Sequence, residues 1–193
     1  MRIEQVGIND VVKIIGITEL HNTNNLTQNI LIQLATSLSS ENLTIQLLNG
    51  SLIVDEMHLL SAAQNALNAE YGEYMLSRNL DVEIIVFAST QRQIGKALKD
   101  LGVYDGLDEI AVVVVGPDAT TVESIIQKLM EKIGKEILPP FPATKERLSR
   151  IKEHYQISDI EITTISDSDN LESQFSALSR CVVSRVSLVA LDS

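Results

Sequence analysis

Hydrophobic positions along the chain follow two spacings, which predict both strands and helices. Residues 82–88 and 110–115 are short, nearly continuous apolar runs, as is typical of buried strands. Residues 2–8 alternate weakly between apolar and polar positions, and residues 43–48 are rich in strand-forming side chains. The pattern therefore predicts four strands. Asn49 and the glycine after it indicate a turn directly after the strand at 43–48.

Helices are predicted between these strands. Residues 26–39 follow Asn25 and residues 56–76 follow Asp55, and both of these polar residues are favourable N-caps. Apolar side chains at near-helical spacing in the second helix are predicted to face the core: Leu60, Leu67, Tyr71 and Tyr74.

Two further helices are predicted from capping-box patterns. Thr90 is predicted to cap a helix over residues 91–100, with Gln93 at its third position and Gly102 at its end. Another threonine with an acid three positions later predicts a helix over residues 120–134, where the aspartate before it also suits capping.

A proline-rich connector, residues 139–142, precedes a tail that is too short to form an independent core. We predict a helix at 144–154, a short element near 158–164, a helix from about 170 and a closing strand within 182–191. The whole chain, residues 1–193, is thus expected to be a single α/β (α+β) domain. Its mixed sheet of about four to five strands packs against helices.

Composition supports a folded protein in an aqueous compartment. The hydrophobic fraction of 45% and the mean hydropathy of +0.12 suffice for a packed core and argue against disorder. The lone Cys181 excludes an internal disulfide and a multi-cysteine zinc site. The sequence shows neither a signal pattern at the N-terminus nor an apolar run of membrane-spanning length, so a cytoplasmic protein without a membrane partner is expected.

The net charge of −11 disfavours a nucleic-acid binder that depends on overall electrostatics. Two local clusters nevertheless carry basic residues. The first basic island contains Arg78, Arg92, Lys96 and Lys99, and the second contains Lys145, Arg147, Arg150 and Lys152. Such clusters are either solvated helix faces or small phosphate-contacting patches.

The usual signatures of an enzyme are missing from the sequence. The three histidines lie far apart, and residues 167–169 lack the rest of a calcium-loop pattern. Residues 90–97 lack the first glycine and the hydroxyl residue of a phosphate loop, and Cys181 has no evident base nearby. We therefore expect no catalytic residue, no metal and no cofactor, although a small-molecule enzyme remains a third alternative.

Several short motifs carry a family resemblance. They are HLL at 58–60, NAL at 65–67, SRNL at 77–80, ASTQRQI at 88–94 and the apolar run at 110–116. With these motifs the chain resembles the small accessory subunit of the KEOPS complex, the PRPK-binding protein (TPRKB-like, CGI-121) family. The end of the chain, residues 182–191, is similar too, and the short length resembles archaeal members.

The resemblance implies a role that composition alone does not indicate. KEOPS helps to install threonylcarbamoyl on the adenosine next to the anticodon of ANN-decoding tRNAs. The family's small subunit is not catalytic. It binds the amino-terminal lobe of the kinase-like ATPase subunit, contacts other KEOPS subunits indirectly and engages the single-stranded 3′ CCA end of tRNA.

The tRNA-binding residues expected from this resemblance are Arg78, Gln91, Arg92, Gln93 and Lys96. Arg92, Lys96 and Lys99 are predicted to share one helix face, with Arg78 at the same end of the sheet. Phosphate contacts and amide groups at a helix start suit a short single strand. The alternatives are plain capping by Gln93 and solvated charge at Arg92 and Lys96.

The kinase-binding surface is expected to be apolar and helical, but no residue can be assigned to it from the sequence. Residues 68–73 carry two acids and no base, where the family resemblance leads us to expect basic character. A protein-only scaffold that regulates the kinase-like partner with little RNA contact is therefore the main alternative, and the net charge favours it.

Overall fold

The computed structural model describes residues 1–8 and 11–190 of the chain. Five strands form one sheet: β1 (Arg2–Ile8), β2 (Val11–His21), β3 (Thr44–Asn49), β4 (Glu109–Gly116) and β5 (Lys135–Glu136). Their order is β1-β2-β4-β3, and β5 pairs with the end of β2. The predicted α/β class and strand number are confirmed, but each described pairing is antiparallel rather than mixed in direction.

The described residues contain eight α-helices. They are α1 (Gln28–Leu38), α2 (Glu56–Tyr71), α3 (Leu80–Ala88), α4 (Ile94–Leu101), α5 (Ala119–Ile133), α6 (Lys145–His154), α7 (Asp159–Ile165) and α8 (Leu171–Leu188). Helices α1 and α5 cover one face of the sheet, and α2, α3, α6 and α8 contribute to the core on the other face. The sheet therefore lies between two helical layers.

The central strand β2 is absent from the sequence-based prediction. It pairs with β1 along one edge and with β4 along the other, and Ile15 and Ile17 are fully buried. Lys13 and Glu19 interrupt the apolar pattern of this segment, so the sequence pattern does not indicate a strand there. Glu19 is nevertheless 0% exposed because a buried arginine compensates its charge.

Residues 82–88 form most of helix α3, so the strand predicted there is wrong. A short apolar run without a period fits a buried helix as well as a buried strand. Asn79 occupies the N-cap position of this helix, and acids at 81 and 83 fall in its first turn. The carboxylate of Glu83 is buried and accepts hydrogen bonds from the backbone N–H groups of Leu76 and Ser77.

Two predicted N-caps and the predicted closing strand also differ from the structure. Asn25 and Thr90 both have positive φ, so neither caps the helix that follows it, and Thr27 and Gln93 occupy those N-cap positions. The predicted closing strand is instead the last part of α8, because residues 182 and 186 bury their side chains at helical spacing. Residue 191 of that predicted strand lies outside the described residues.

Candidate functional site

Four of the five predicted RNA-binding residues lie around the loop between α3 and α4. This α3–α4 loop, residues 89–93, carries Gln91, Arg92 and Gln93, and Lys96 lies in the first turn of α4. Gln93 and Lys96 are exposed. Gln93 occupies the N-cap position, but its side chain makes no capping hydrogen bond, so simple capping does not account for its amide group.

The α3–α4 loop is anchored at the residue that precedes it. The carbonyl oxygen of Ala88 lies 2.8 Å from Nε2 of His58 and accepts a hydrogen bond from the Tyr155 hydroxyl at 3.1 Å. His58 belongs to α2, and Tyr155 directly follows α6. Contacts from α2 and from the end of α6 therefore hold the end of α3 in place, where the α3–α4 loop begins.

His58 is held in its neutral form. Its ring is fully buried, and this desolvation lowers its pKa to about 4, although the Ala88 carbonyl partly opposes the shift. Nδ1 accepts a hydrogen bond from the backbone N–H of Val54, which leaves the proton on Nε2 to be donated to Ala88. The N-cap Asp55 accepts a hydrogen bond from the His58 backbone N–H.

Arg78 does not join the other predicted residues. It precedes α3, whereas the α3–α4 loop follows it, and a nine-residue helix is about 13 Å long. Arg92 also precedes α4 rather than lying on it, so the predicted common helix face of Arg92, Lys96 and Lys99 is wrong. Lys96 and Lys99 are both exposed on α4.

Tyr71 and Tyr74 are exposed rather than in the core as predicted. Their exposed fractions are 37% and 44%, because α2 ends at Tyr71 and the chain then leaves the helix. Tyr71 is the last residue of α2 and Tyr74 follows it, whereas His58 near the N-terminal end contacts Ala88, which directly precedes the α3–α4 loop. The two exposed tyrosine rings thus belong with the Arg78 end of α3.

Half of the second basic island forms ion pairs within the protein. Arg147 is buried and forms ion pairs with Glu19 and Glu109, and Lys152 pairs with Asp159. Lys145 and Arg150 are exposed. This distribution supports a structural role for half of the island.

Sequence reasoning missed His154, which lies beside the predicted site. Its ring centroid is 4.7 Å from that of Tyr155, in an edge-to-face arrangement. Burial lowers the pKa of His154, the charge of Asp100 opposes this shift, and the charge of Lys96 adds to it. No sequence signal links His154 to Lys96, because they lie on different helices.

An apolar groove of about 400 Å³ follows the outer edge of β3. Helices α1, α3 and α4 supply its other walls. Its lining includes Leu31, Ile32, Ile45, Leu47, Val82 and Leu98. Ile32 and Leu98 expose 49% and 42% of their surface, so this groove presents apolar side chains to solvent.

Two other reactive groups among the described residues, Cys181 and Asp118, have surroundings that indicate a role in the fold. Burial raises the pKa of the Cys181 thiol, which disfavours the thiolate. Asp118 caps α5 by accepting a hydrogen bond from the Thr121 backbone N–H, and its bonds to Thr121 lower its pKa. Residues 1–8 and 11–190 contain no cluster of three potential metal-ligating His, Cys, Asp or Glu side chains.

The family comparison covers all of these surfaces. A model of the kinase-binding protein CGI-121 family matches residues 17–190. The chain belongs to the CGI-121 family. The α3–α4 loop, α4, α6 and the groove along β3 all fall within the matched residues, which confirms the resemblance found in the sequence.

The CGI-121 family is described as kinase-binding, so a protein partner is part of the family's character. A comparison with individual curated proteins found no match. Within the part of this CGI-121 chain that the structure describes, no helix has the length and apolar character needed to cross a membrane.

Proposed function

We propose that this chain is the non-catalytic small subunit of a KEOPS-type tRNA-modifying complex. In this role it binds the kinase-like ATPase subunit and recruits tRNA through its 3′ CCA end for threonylcarbamoyladenosine formation. Membership of the kinase-binding CGI-121 family carries the protein-binding half of this proposal. The surroundings of the α3–α4 loop support the RNA-binding half.

The α3–α4 loop combines groups that suit a short single-stranded RNA. Within residues 1–8 and 11–190, neither Arg92 nor Lys96 forms an ion pair, so neither charge is neutralised by a described side chain. The backbone N–H of Lys96 already bonds to the Gln93 carbonyl, which leaves the N–H groups of Ile94 and Gly95 at the start of α4 to favour an anion. Gln91 and Gln93 add amide donors and acceptors for base edges.

The groove along β3 is the surface that we propose for the kinase-like subunit. Protein interfaces combine an apolar centre with a polar rim, and such centres provide most of the binding energy. The groove offers exposed Ile32 and Leu98 on two helices that flank β3, the last strand in the order of the sheet. An apolar surface with helical walls is the kind of patch that we expect the kinase-like subunit to bind.

Helix α4 separates the two proposed surfaces. Ala97 and Leu101 form the buried stripe of this helix. Successive residues of an α-helix are about 100° apart, so Lys96 and Leu98 lie on opposite sides of that stripe. RNA at Lys96 and a protein at Leu98 therefore do not compete for the same flank of α4.

Charge reversal at Arg92 and Lys96 tests the RNA-binding half. The double variant Arg92→Glu/Lys96→Glu is expected to weaken tRNA binding by about tenfold or more and to reduce the slope of log affinity against log salt, because phosphate contacts are lost. Filter binding at several salt concentrations measures both effects. The matched control is Lys128→Glu/Lys132→Glu on exposed positions of α5, which changes the net charge equally. Equal affinities for the two variants would contradict the assignment.

A substitution in the groove tests the kinase-binding half. Leu98→Asp is expected to weaken binding to the kinase-like subunit at least tenfold, because it places a charge in an apolar contact. Leu98 is exposed, so the fold should tolerate the change. Titration calorimetry with the purified partner measures the affinity. Ile160→Asp is the control, since Ile160 is 77% exposed on α7, away from the groove lining; an equal loss for both variants would refute the assignment.

A protein-only scaffold is the second candidate function. The net charge of −11 and the exposed groove favour it, because neither feature requires RNA. It predicts that Leu98→Asp removes kinase binding, while the wild-type chain binds tRNA no better than the Arg92→Glu/Lys96→Glu variant does.

A further inference from the structure

We propose that His154 extends the RNA-binding surface onto the last turn of α6, where its ring stacks on an unpaired base of the bound strand. This inference rests on the proposed binding of tRNA at the α3–α4 loop. It adds a ring on which a base can stack, because residues 89–93 of the loop include no aromatic side chain or histidine. Single-stranded RNA is commonly held by such stacking on aromatic side chains or histidine.

The geometry places His154 beside the α3–α4 loop. The Tyr155 hydroxyl donates its hydrogen bond to the carbonyl of Ala88, the residue that directly precedes the loop. The His154 ring packs edge-to-face on the Tyr155 ring, with the two planes 90° apart. His154 is thus held one ring away from the point where the loop begins.

His154 also differs in exposure from the other rings at this end of α3. His58, Phe87 and Tyr155 are 0%, 2% and 6% exposed, and two of them are occupied by the Ala88 carbonyl. His154 is only partly buried. Among these four rings, it is the one that a base from solvent can reach.

The nearby charges suit stacking next to a phosphate contact. Lys96 and Asp100 are the charged groups that act on His154, and burial keeps its pKa below the ordinary value. The ring is therefore neutral at pH 7 and contributes a π-face rather than a charge. Lys96 supplies the cation for the adjoining phosphate.

Three substitutions at His154 distinguish stacking from packing. His154→Ala is expected to weaken binding of full-length tRNA by about fivefold or more, which is the lower end of a single base–ring stack. His154→Phe retains a ring and should bind nearly as well as the wild type. His154→Leu retains apolar bulk without a π-face and should behave like His154→Ala.

The same variants are then measured with tRNA that lacks its CCA end, and thermal melting confirms that each is folded. If wild type and His154→Ala bind the truncated tRNA with equal affinity, the result supports stacking on a base of the CCA end. If Arg92→Glu/Lys96→Glu loses affinity while His154→Ala binds like the wild type, this inference fails and the proposed function stands. If His154→Leu binds full-length tRNA as tightly as His154→Phe does, stacking is refuted. If the wild type binds neither tRNA, both proposals fail.

Discussion

Replacing Arg147 by alanine is expected to lower the free energy of unfolding by about 3–5 kcal/mol, the range typical of a buried charge left without its partner. Nη2 of Arg147 lies 2.5 Å from Oε1 of Glu19 and 2.9 Å from Oε2 of Glu109. Arg147 is 3% and Glu19 is 0% exposed, so the substitution leaves a buried carboxylate without its counter-charge. The pair also connects α6 to the central strand β2.

Equilibrium urea unfolding measures this effect, and a second substitution tests its cause. Burial already raises the pKa of Glu19, with Arg147 opposing that shift. In the Arg147→Ala background, Glu19→Gln should therefore recover stability, because it removes the unpaired charge. Arg2→Ala is the control, since Arg2 pairs with Glu4 at the surface and should cost less than about 1 kcal/mol. Similar losses for Arg147→Ala and Arg2→Ala would contradict this account.

Acidification is expected to destabilise the protein through His58. The pKa of His58 falls from 6.5 to about 4 on folding, so the unfolded chain binds this proton first as the pH decreases. Stability from this group is present above pH 6.5 and is lost as the pH falls toward 4. The loss between pH 7 and pH 4 is about 3 kcal/mol, from about 1.4 kcal/mol per pKa unit.

His58→Gln isolates this contribution, because glutamine retains an N–H donor for the Ala88 carbonyl but does not titrate. Urea unfolding at pH 7 and pH 4 gives the comparison. The variant should lose about 3 kcal/mol less than the wild type does over this interval. Identical pH dependence in the two proteins would show that His58 is not held neutral by burial.

Some elements, such as β4 and α6, are predicted correctly from their local sequence pattern. Residues 110–115 of β4 are a continuous apolar run, and helix α6 follows a polar N-cap and buries apolar side chains along one face. β2 escapes prediction because Glu19 is compensated by Arg147, a residue from a distant part of the chain. Helix α3 is misassigned because its environment is apolar on nearly every side, which removes the helical period from the pattern.

The residues of the candidate site also differ in how far the sequence predicts their positions. Residues 91–96 are adjacent in sequence, so their proximity could be predicted from the chain alone. Arg78 lies apart from them because it precedes α3 and they follow it, and any regular element between the two separates its ends. His154 and the groove along β3 depend on tertiary packing between distant elements, which no local pattern encodes.

The most direct test of tRNA recruitment is the affinity of the purified chain for full-length tRNA and for tRNA without its CCA end, each at two salt concentrations. We predict clear binding of the full-length tRNA, a large loss when the CCA end is removed, and weaker binding at the higher salt. Equal affinity for the two tRNAs, or no binding of either, would contradict recruitment through the 3′ end.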